Sequence, residues 1–179
     1  MKIKSRTFTA KDGRKVILRT VRWEDLDDLL DFINSLVEEG ADIVRTEKVT
    51  RDEEAEWLGR FLARIEKREM INCAAEVEGK VIANSEIGKR EGLMSHVGDF
   101  GIAIKQGYRR IGIGTQVMQI LVEESRKAGL KILVLDVFDT NKTAKALYSK
   151  MGFKETGKIP KAINKKGTYI DLVRMTLEL

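Results

Sequence analysis

The chain nearly lacks the residues that staple, kink or ligate. It has one cysteine, Cys73, one histidine, His96, and one proline, Pro160, among 179 residues. A single thiol cannot close an internal disulfide. One imidazole and one thiol cannot build the usual nitrogen and sulfur cage of a metal site, so metal-free chemistry is expected. Cys73 lies inside the apolar residues 70–77 with no recognisable base beside it, which marks a small core residue rather than a nucleophile. No apolar run reaches the roughly 18 residues that cross a bilayer. The opening Met1-Lys2-Ile3-Lys4-Ser5-Arg6 is not followed by the apolar segment of a signal peptide. A soluble cytoplasmic protein with no membrane partner is expected.

Aromatic residues are also few, at 6%, and the 33 basic and 28 acidic residues leave a net charge of +5. The charges are interspersed rather than gathered into a basic stripe with interleaved aromatics, so a nucleic-acid partner is disfavoured while an anionic small molecule is not. The length suits one compact domain over residues 1–179, and no repeat, low-complexity tract or interdomain linker interrupts it.

After a polar start, the turn-forming Asp12-Gly13 leads into a first strand over residues 15–21. Leu26, Leu29, Leu30, Ile33, Leu36 and Val37 recur at helical spacing up to Gly40. Leu58, Phe61, Leu62 and Ile65 do the same after Thr50-Arg51-Asp52-Glu53, a capping box. Trp23 and Trp57 fall at or within these helices and are read as core or groove lining. Residues 70–77 and 80–87 flank Glu78-Gly79 as a hairpin, and residues 95–104 add a strand, giving an antiparallel meander. Residues 113–128 form a helix with Ile113, Val117, Ile120, Leu121 and Glu124 on successive turns. The near-continuous apolar run 132–138 is a buried strand, so strand, helix and strand should make a right-handed parallel crossover. A last helix over residues 141–151 stops at Gly152. Strands over 153–159 and 168–179 are expected to enclose a basic loop, residues 161–166, bracketed by Pro160 and Gly167.

The most informative segment is Arg109-Arg110-Ile111-Gly112-Ile113-Gly114-Thr115, between a strand ending at Ile104 and a helix. Backbone amides and the positive end of the helix dipole are aimed outward there, and two residues without side chains let an anion approach, an arrangement suited to phosphate. It is not a P-loop, because no Gly-Lys-Ser/Thr run exists. It is not a dinucleotide fingerprint either, because Val117 stands where the third glycine would be.

Arg109-x-x-Gly112-x-Gly114 resembles the pyrophosphate signature of the GNAT family of N-acetyltransferases. The resemblance extends to residues 96–104, like that family's fourth strand, and to Asn141 through Tyr148 with Met151-Gly152-Phe153, like its closing helix and turn. It implies an α/β GNAT fold: a mixed, mostly antiparallel sheet flanked by helices, with a parallel V-shaped splay between strands four and five. It implies acetyl-CoA as cosubstrate, lying in that V. The backbone of Ile102, Ala103 and Ile104 would pair with the pantetheine arm, and the amides of Arg110, Ile111, Gly112, Ile113, Gly114 and Thr115 would cradle the pyrophosphate, with Arg109 and Arg110 adding charge. Asn141 would cap the last helix, contact the cofactor, or both. The partner is an amine, small molecule or protein, and a homodimer is compatible with the family.

Acetyl transfer needs a neutral amine, a polarised carbonyl and a proton for the leaving thiolate. An amide near Ile102 suits the oxyanion. Tyr148, at the tyrosine position of the family pattern, suits protonation of the sulfur. Glu86 and Asp99, on adjacent strands, are the candidate general bases, directly or through water. His96 is read as structural, and Asp136 equally as a hydrogen-bonded acid at a sheet edge or as a catalytic group. Two other readings stay open: an acyl-CoA sensor without turnover, and a basic nucleic-acid-binding protein.

Overall fold

The computed structural model describes residues 2–179, which form one eight-stranded sheet with helices on both faces. The polar start contains a strand that the sequence reading missed. β1 (Arg6–Thr9) pairs with β2 (Lys15–Arg19) across a turn in which Gly13 takes φ +88°. Only Phe8 of β1 is even half-buried, so a short edge strand leaves no alternation to detect. The family's strands four and five are therefore strands five and six of this chain.

A short 3-10 turn leads into α1 (Leu26–Glu38), which buries Leu26, Leu29, Phe32 and Leu36 along one stripe. α2 (Arg51–Glu66) buries Leu58, Phe61 and Ile65, and its capping box is made: Thr50 N donates to Glu53 Oε2 at 2.7 Å while the Thr50 hydroxyl accepts from Glu53 N. β3 (Met70–Val77) and β4 (Lys80–Lys89) turn at Glu78 and Gly79, both with positive φ, as a two-residue hairpin requires. Then follow β5 (Val97–Ile104), α3 (Ile113–Lys127), β6 (Ile132–Phe138), α4 (Lys142–Lys150), β7 (Lys154–Lys165) and β8 (Thr168–Glu178). The sheet order is β1-β2-β3-β4-β5-β6-β8-β7, antiparallel throughout except between β5 and β6.

Strand residues alternate between two cores. On one face, Ile71, Cys73, Phe100, Leu133, Leu135 and Val173 pack under α3 and α4 with Val117, Leu121 and Tyr148. On the other, Met70, Ala74 and Val81 pack under α1 and α2 with Leu29, Leu58 and Phe61. Each fully buried aliphatic side chain contributes about 1.5–3 kcal/mol through removal of apolar surface from water. In α3 the buried position of the fourth turn is Ser125, whereas Glu124 turns outward to Lys127. Cys73 is fully buried, and burial pushes its thiol up to about 12, so it is inert packing.

The basic segment 161–166 is not a loop. β7 runs through Pro160 to Lys165, with bulges between Glu155 and Gly157 and between Ile159 and Ile163, and the chain turns at Lys166 and Gly167, both at positive φ. β7 is an edge strand, so the missing N–H of Pro160 costs no ladder bond. The far end of this hairpin is tied to the chain after α1, where Lys165 Nζ donates to the Gly40 carbonyl and to Asp42 at 2.8 Å each. None of the described helices is long and apolar enough to cross a membrane.

Candidate active site

β5 and β6 pair only where Val97, Gly98 and Asp99 meet Ile132, Leu133 and Val134. Beyond that point β5 stays with β4 to Ile104 and β6 stays with β8 to Phe138, so the sheet opens into a V between them. Lys105 N donates to the Ile82 carbonyl at 2.9 Å, which makes Ile104 and Ala83 a non-hydrogen-bonded pair. By the alternation of an antiparallel ladder, the backbone groups of Ile102 and Ile104 face the V and those of Ala103 face β4. The structure thus separates the three residues expected to pair with pantetheine: two offer main-chain groups, and Ala103 offers its side chain to the other face.

At the mouth of the V the chain turns through Arg110 (φ +65°) and Gly112 (φ +100°) into α3. Among the described residues, none of the amides of residues 110–115 has a hydrogen-bond acceptor in the protein. The two glycines serve different needs. A Cβ on Gly112 would meet nothing, so that glycine is there for its backbone angle. A Cβ on Gly114 would lie 3.0 Å from Leu147 Cδ2 and 3.3 Å from Ile104 Cδ1, so that glycine lets α3 start between β5 and α4. The loop is braced from behind by Lys11 N donating to the Ile111 carbonyl and by Arg14, which donates to the Gly107 carbonyl and stacks 4.3 Å over the Tyr108 ring.

The two arginines part company. Arg109 donates to the Ile104 carbonyl at 2.7 Å and is ion-paired with Glu39 at the end of α1, so it locks the loop to the edge of β5. Arg110 is exposed and has no partner among the described residues, which leaves its charge free for an anion. Glu39 was invisible to sequence reasoning, because no local pattern links positions 39 and 109.

Tyr148 of α4 lies on the α3 and α4 side of the V, its ring 6.1 Å from those of Phe100 and Phe153. Its side chain is buried, which pushes the phenol up to about 12, and its hydroxyl has no partner among the described residues. A neutral, unengaged phenol is a proton donor at neutral pH. Asn141 caps α4, its side-chain oxygen accepting from Ala144 N at 3.0 Å, and its amide nitrogen has no acceptor among the described residues.

Glu86 projects from β4 on the opposite face, beneath α2. Gly101 stands across from it on β5, where a Cβ would come within 2.8 Å of Glu86 Oε1. The missing side chain therefore makes room for the carboxylate. Glu86 accepts no hydrogen bond among the described residues. Burial raises its pKa above the ordinary carboxylate range, and the Arg64 guanidinium pulls it partly back. Asp99 is placed differently. It lies exposed at the last parallel pair, gripped by Arg90 Nε at 2.8 Å and Nη2 at 2.5 Å. Asp136 is gripped the same way by Arg174 of β8, at 2.9 and 2.8 Å; it is hydrogen-bonded, but on a strand inside the sheet and not at its edge. His96 serves through its carbonyl, which accepts from Lys131 N and Ile132 N at the start of β6.

Two buried polar residues near Glu86 went unnoticed in the sequence. Asn72 Oδ1 accepts from Val21 N at 2.8 Å, and Asn72 Nδ2 donates to Asn84 Oδ1 at 2.7 Å and to the Ser85 carbonyl at 3.0 Å. Asparagines within apolar strands, placed to face the same side, were the available signal.

The sheet splits between its two parallel strands, with a run of amides unpaired among the described residues at the mouth and a phenol and a carboxylate on its two faces. The Acetyltransferase (GNAT) family model matches residues 29–153, and the chain belongs to that family. It is an N-acetyltransferase. It is 27% identical to an L-methionine sulfoximine/L-methionine sulfone acetyltransferase of Pseudomonas paraeruginosa, over 87% of this chain and 90% of the relative. Among solved structures, a ribosomal-protein-alanine N-acetyltransferase from Brucella melitensis is 26% identical with a TM-score of 0.80, covering 90% of this chain and 99% of the other. The structure of yncA from Salmonella typhimurium with its cofactor acetyl-CoA shares the fold at 21% identity and a TM-score of 0.80, over 92% and 94% of the two chains.

Proposed function

We propose that this enzyme transfers the acetyl group of acetyl-CoA to the amine of a small amino-acid-like acceptor, by direct attack within a ternary complex. The observation that carries the reading is the pairing of a six-amide cradle at the mouth of the V with Tyr148 and Glu86 on opposite faces of β5. The cradle and the free Arg110 fit a diphosphate, and Gly112 leaves open space in front of it. Acetyl-CoA supplies the acetyl group as a thioester. The Ile102 carbonyl and the Ile104 N–H align its arm as an added strand would be aligned, which leaves the Ile102 N–H for the reacting carbonyl.

The acceptor approaches from the α1 and α2 face. Glu86 takes the proton of its ammonium, directly or through water, and its raised pKa suits that task. The Ile102 N–H stabilises the oxyanion as the amine nitrogen bonds to the carbonyl carbon; Tyr148 gives its proton to the thiolate as the C–S bond breaks, and the second proton shed by the amine nitrogen restores the phenol. Asp99 is the alternative base, but the Arg90 fork occupies both its oxygens. The relative that acts on L-methionine sulfoximine, aligned over most of the chain, supports an amino-acid-like acceptor.

Thiol release from acetyl-CoA across a panel of amines tests this. Turnover is expected with small amino acids or their analogues. In Tyr148→Phe, kcat should fall about 10²–10⁴-fold while coenzyme A still binds by calorimetry. No heat of coenzyme A binding to the wild-type protein would remove the reading.

A further inference from the structure

The orientation of the Asn84 side chain is forced. A backbone N–H can only donate, so the atom of Asn72 facing Val21 N must be its oxygen. Asn72 then turns its NH₂ group away, which the Ser85 carbonyl corroborates by accepting from it at 3.0 Å. That same NH₂ meets Asn84 at 2.7 Å, so the atom of Asn84 pointing at it must be an oxygen. The Asn84 Nδ2 group, with two hydrogens, therefore points elsewhere, and it has no acceptor among the described residues.

This donor is unlike an ordinary surface amide, because Asn84 is only 8% exposed. Nor is it sealed in. Among the described residues the one fully enclosed side-chain polar atom without a partner is the Ser125 hydroxyl, so Asn84 Nδ2 is not fully enclosed. Asn84 and Glu86 are two positions apart on β4, share a face, and so stand about 6.8 Å apart along the strand. Opposite them on β5 are the small residues Ala103 and Gly101, and the Glu86 carboxylate lies over the latter. A held donor and a carboxylate without a hydrogen bond among the described residues, two positions apart on one face of β4, complement a molecule bearing a cationic nitrogen next to an oxygen.

We infer that the Asn84 amide binds the acceptor, donating to a carboxylate or carbonyl oxygen carried on the carbon next to the amine, as in an α-amino acid. Asn72 is the positioning residue that aims it. The inference rests on the reading of the Glu86 face as the acceptor side. It makes the enzyme selective for amines with such an oxygen over simple alkylamines of the same length.

The test uses Asn84→Asp, which keeps the acceptor for Asn72 but presents an oxygen where the donor stood. L-Methionine and 3-(methylsulfanyl)propan-1-amine, its counterpart without the carboxylate, are compared as acceptors. The expected result is a rise of about 10–100-fold in KM for L-methionine, with kcat and the acetyl-CoA KM little changed and the alkylamine unaffected or improved. Equal effects on the two amines would overturn the inference while leaving the acetyltransfer reading intact. Independently of turnover, the side-chain NH₂ resonances of Asn84, assigned by their loss in Asn84→Asp, should shift when L-methionine is added with coenzyme A. They should stay in place with the alkylamine. Resonances unmoved by L-methionine would overturn the inference even in a variant that folds poorly.

Discussion

Replacing each loop glycine with alanine separates two requirements that look identical in the sequence. At Gly112 the backbone sits at φ +100°, ψ −11°, with open space where a Cβ would go. Alanine there meets no clash but must hold a left-handed conformation, at a cost of about 1–2 kcal/mol. At Gly114 the backbone is helical, and alanine gains about 0.5–1 kcal/mol of helix propensity. Against that, its Cβ stands 3.0 Å from the end of Leu147, a flexible contact that must give by a few tenths of an ångström, at about 1 kcal/mol. Gly114→Ala should thus remain within about 1 kcal/mol of wild type by urea unfolding. Gly112→Ala should lose about 1–2 kcal/mol, at about 2–4 °C in Tm per kcal/mol. The contrast widens for coenzyme A measured by calorimetry. A loop that relaxes toward negative φ at Gly112 swings the adjoining amides off the cradle, and each lost hydrogen bond to a charged group is worth about 1.5–3 kcal/mol, so binding should weaken more than about tenfold. Gly114→Ala leaves the amide directions alone and should bind within about threefold. Gly112→Ala that binds and unfolds like wild type, or Gly114→Ala as the more damaging change, would refute the reasoning.

Glu86→Gln should abolish the acidic limb of the rate profile, which in the wild type falls as pH drops through the raised Glu86 pKa. A limb that survives the substitution assigns the base elsewhere. Because the folded state raises this pKa, ionisation of Glu86 opposes folding. Wild-type stability should decline as pH rises from the ordinary glutamate value through the raised one, and Glu86→Gln should remove that decline in denaturation curves. Asp25 behaves in the opposite sense: burial opposes its charge, but hydrogen bonds from Arg19 and the Arg22 amide outweigh it and lower its pKa. Its contribution is present above the ordinary aspartate value and lost as pH falls through the lowered one. Asp25→Asn should cost about 3 kcal/mol at neutral pH, because Arg19 stays buried with only Glu76 as its carboxylate, and equilibrium unfolding at pH 7 and at acid pH reads both effects. Ser125→Ala should be stabilising by about 0.5–1 kcal/mol, since it removes a buried hydroxyl with no partner; a destabilised variant in thermal unfolding would show that the hydroxyl is satisfied.

Much of this protein was legible along the chain because its signals are local. Hydrophobic periodicity set the helices and most strands, Thr50 and Glu53 marked a helix start, and Glu78-Gly79 marked a hairpin. Arg109 to Thr115 marked a loop of free amides ahead of α3, because the requirement for unpaired amides at a helix start is itself local. Edge strands escape this logic, because one face or none is buried and composition stops reporting conformation: β1 reads as a polar lead-in and the residues after Pro160 read as a loop. Other features were decided only by bringing distant segments together. Backbone alternation in β5, fixed by pairing with β4, split Ile102 and Ile104 from Ala103. Arg90 forks onto Asp99 while Glu86 accepts no hydrogen bond among the described residues, and that difference distinguishes two carboxylates that the sequence presented as equals. Spacing can say which residue types lie on one face. Whether a charge there is partnered, buried or free depends on groups tens of residues away, and only the folded sheet sets those distances.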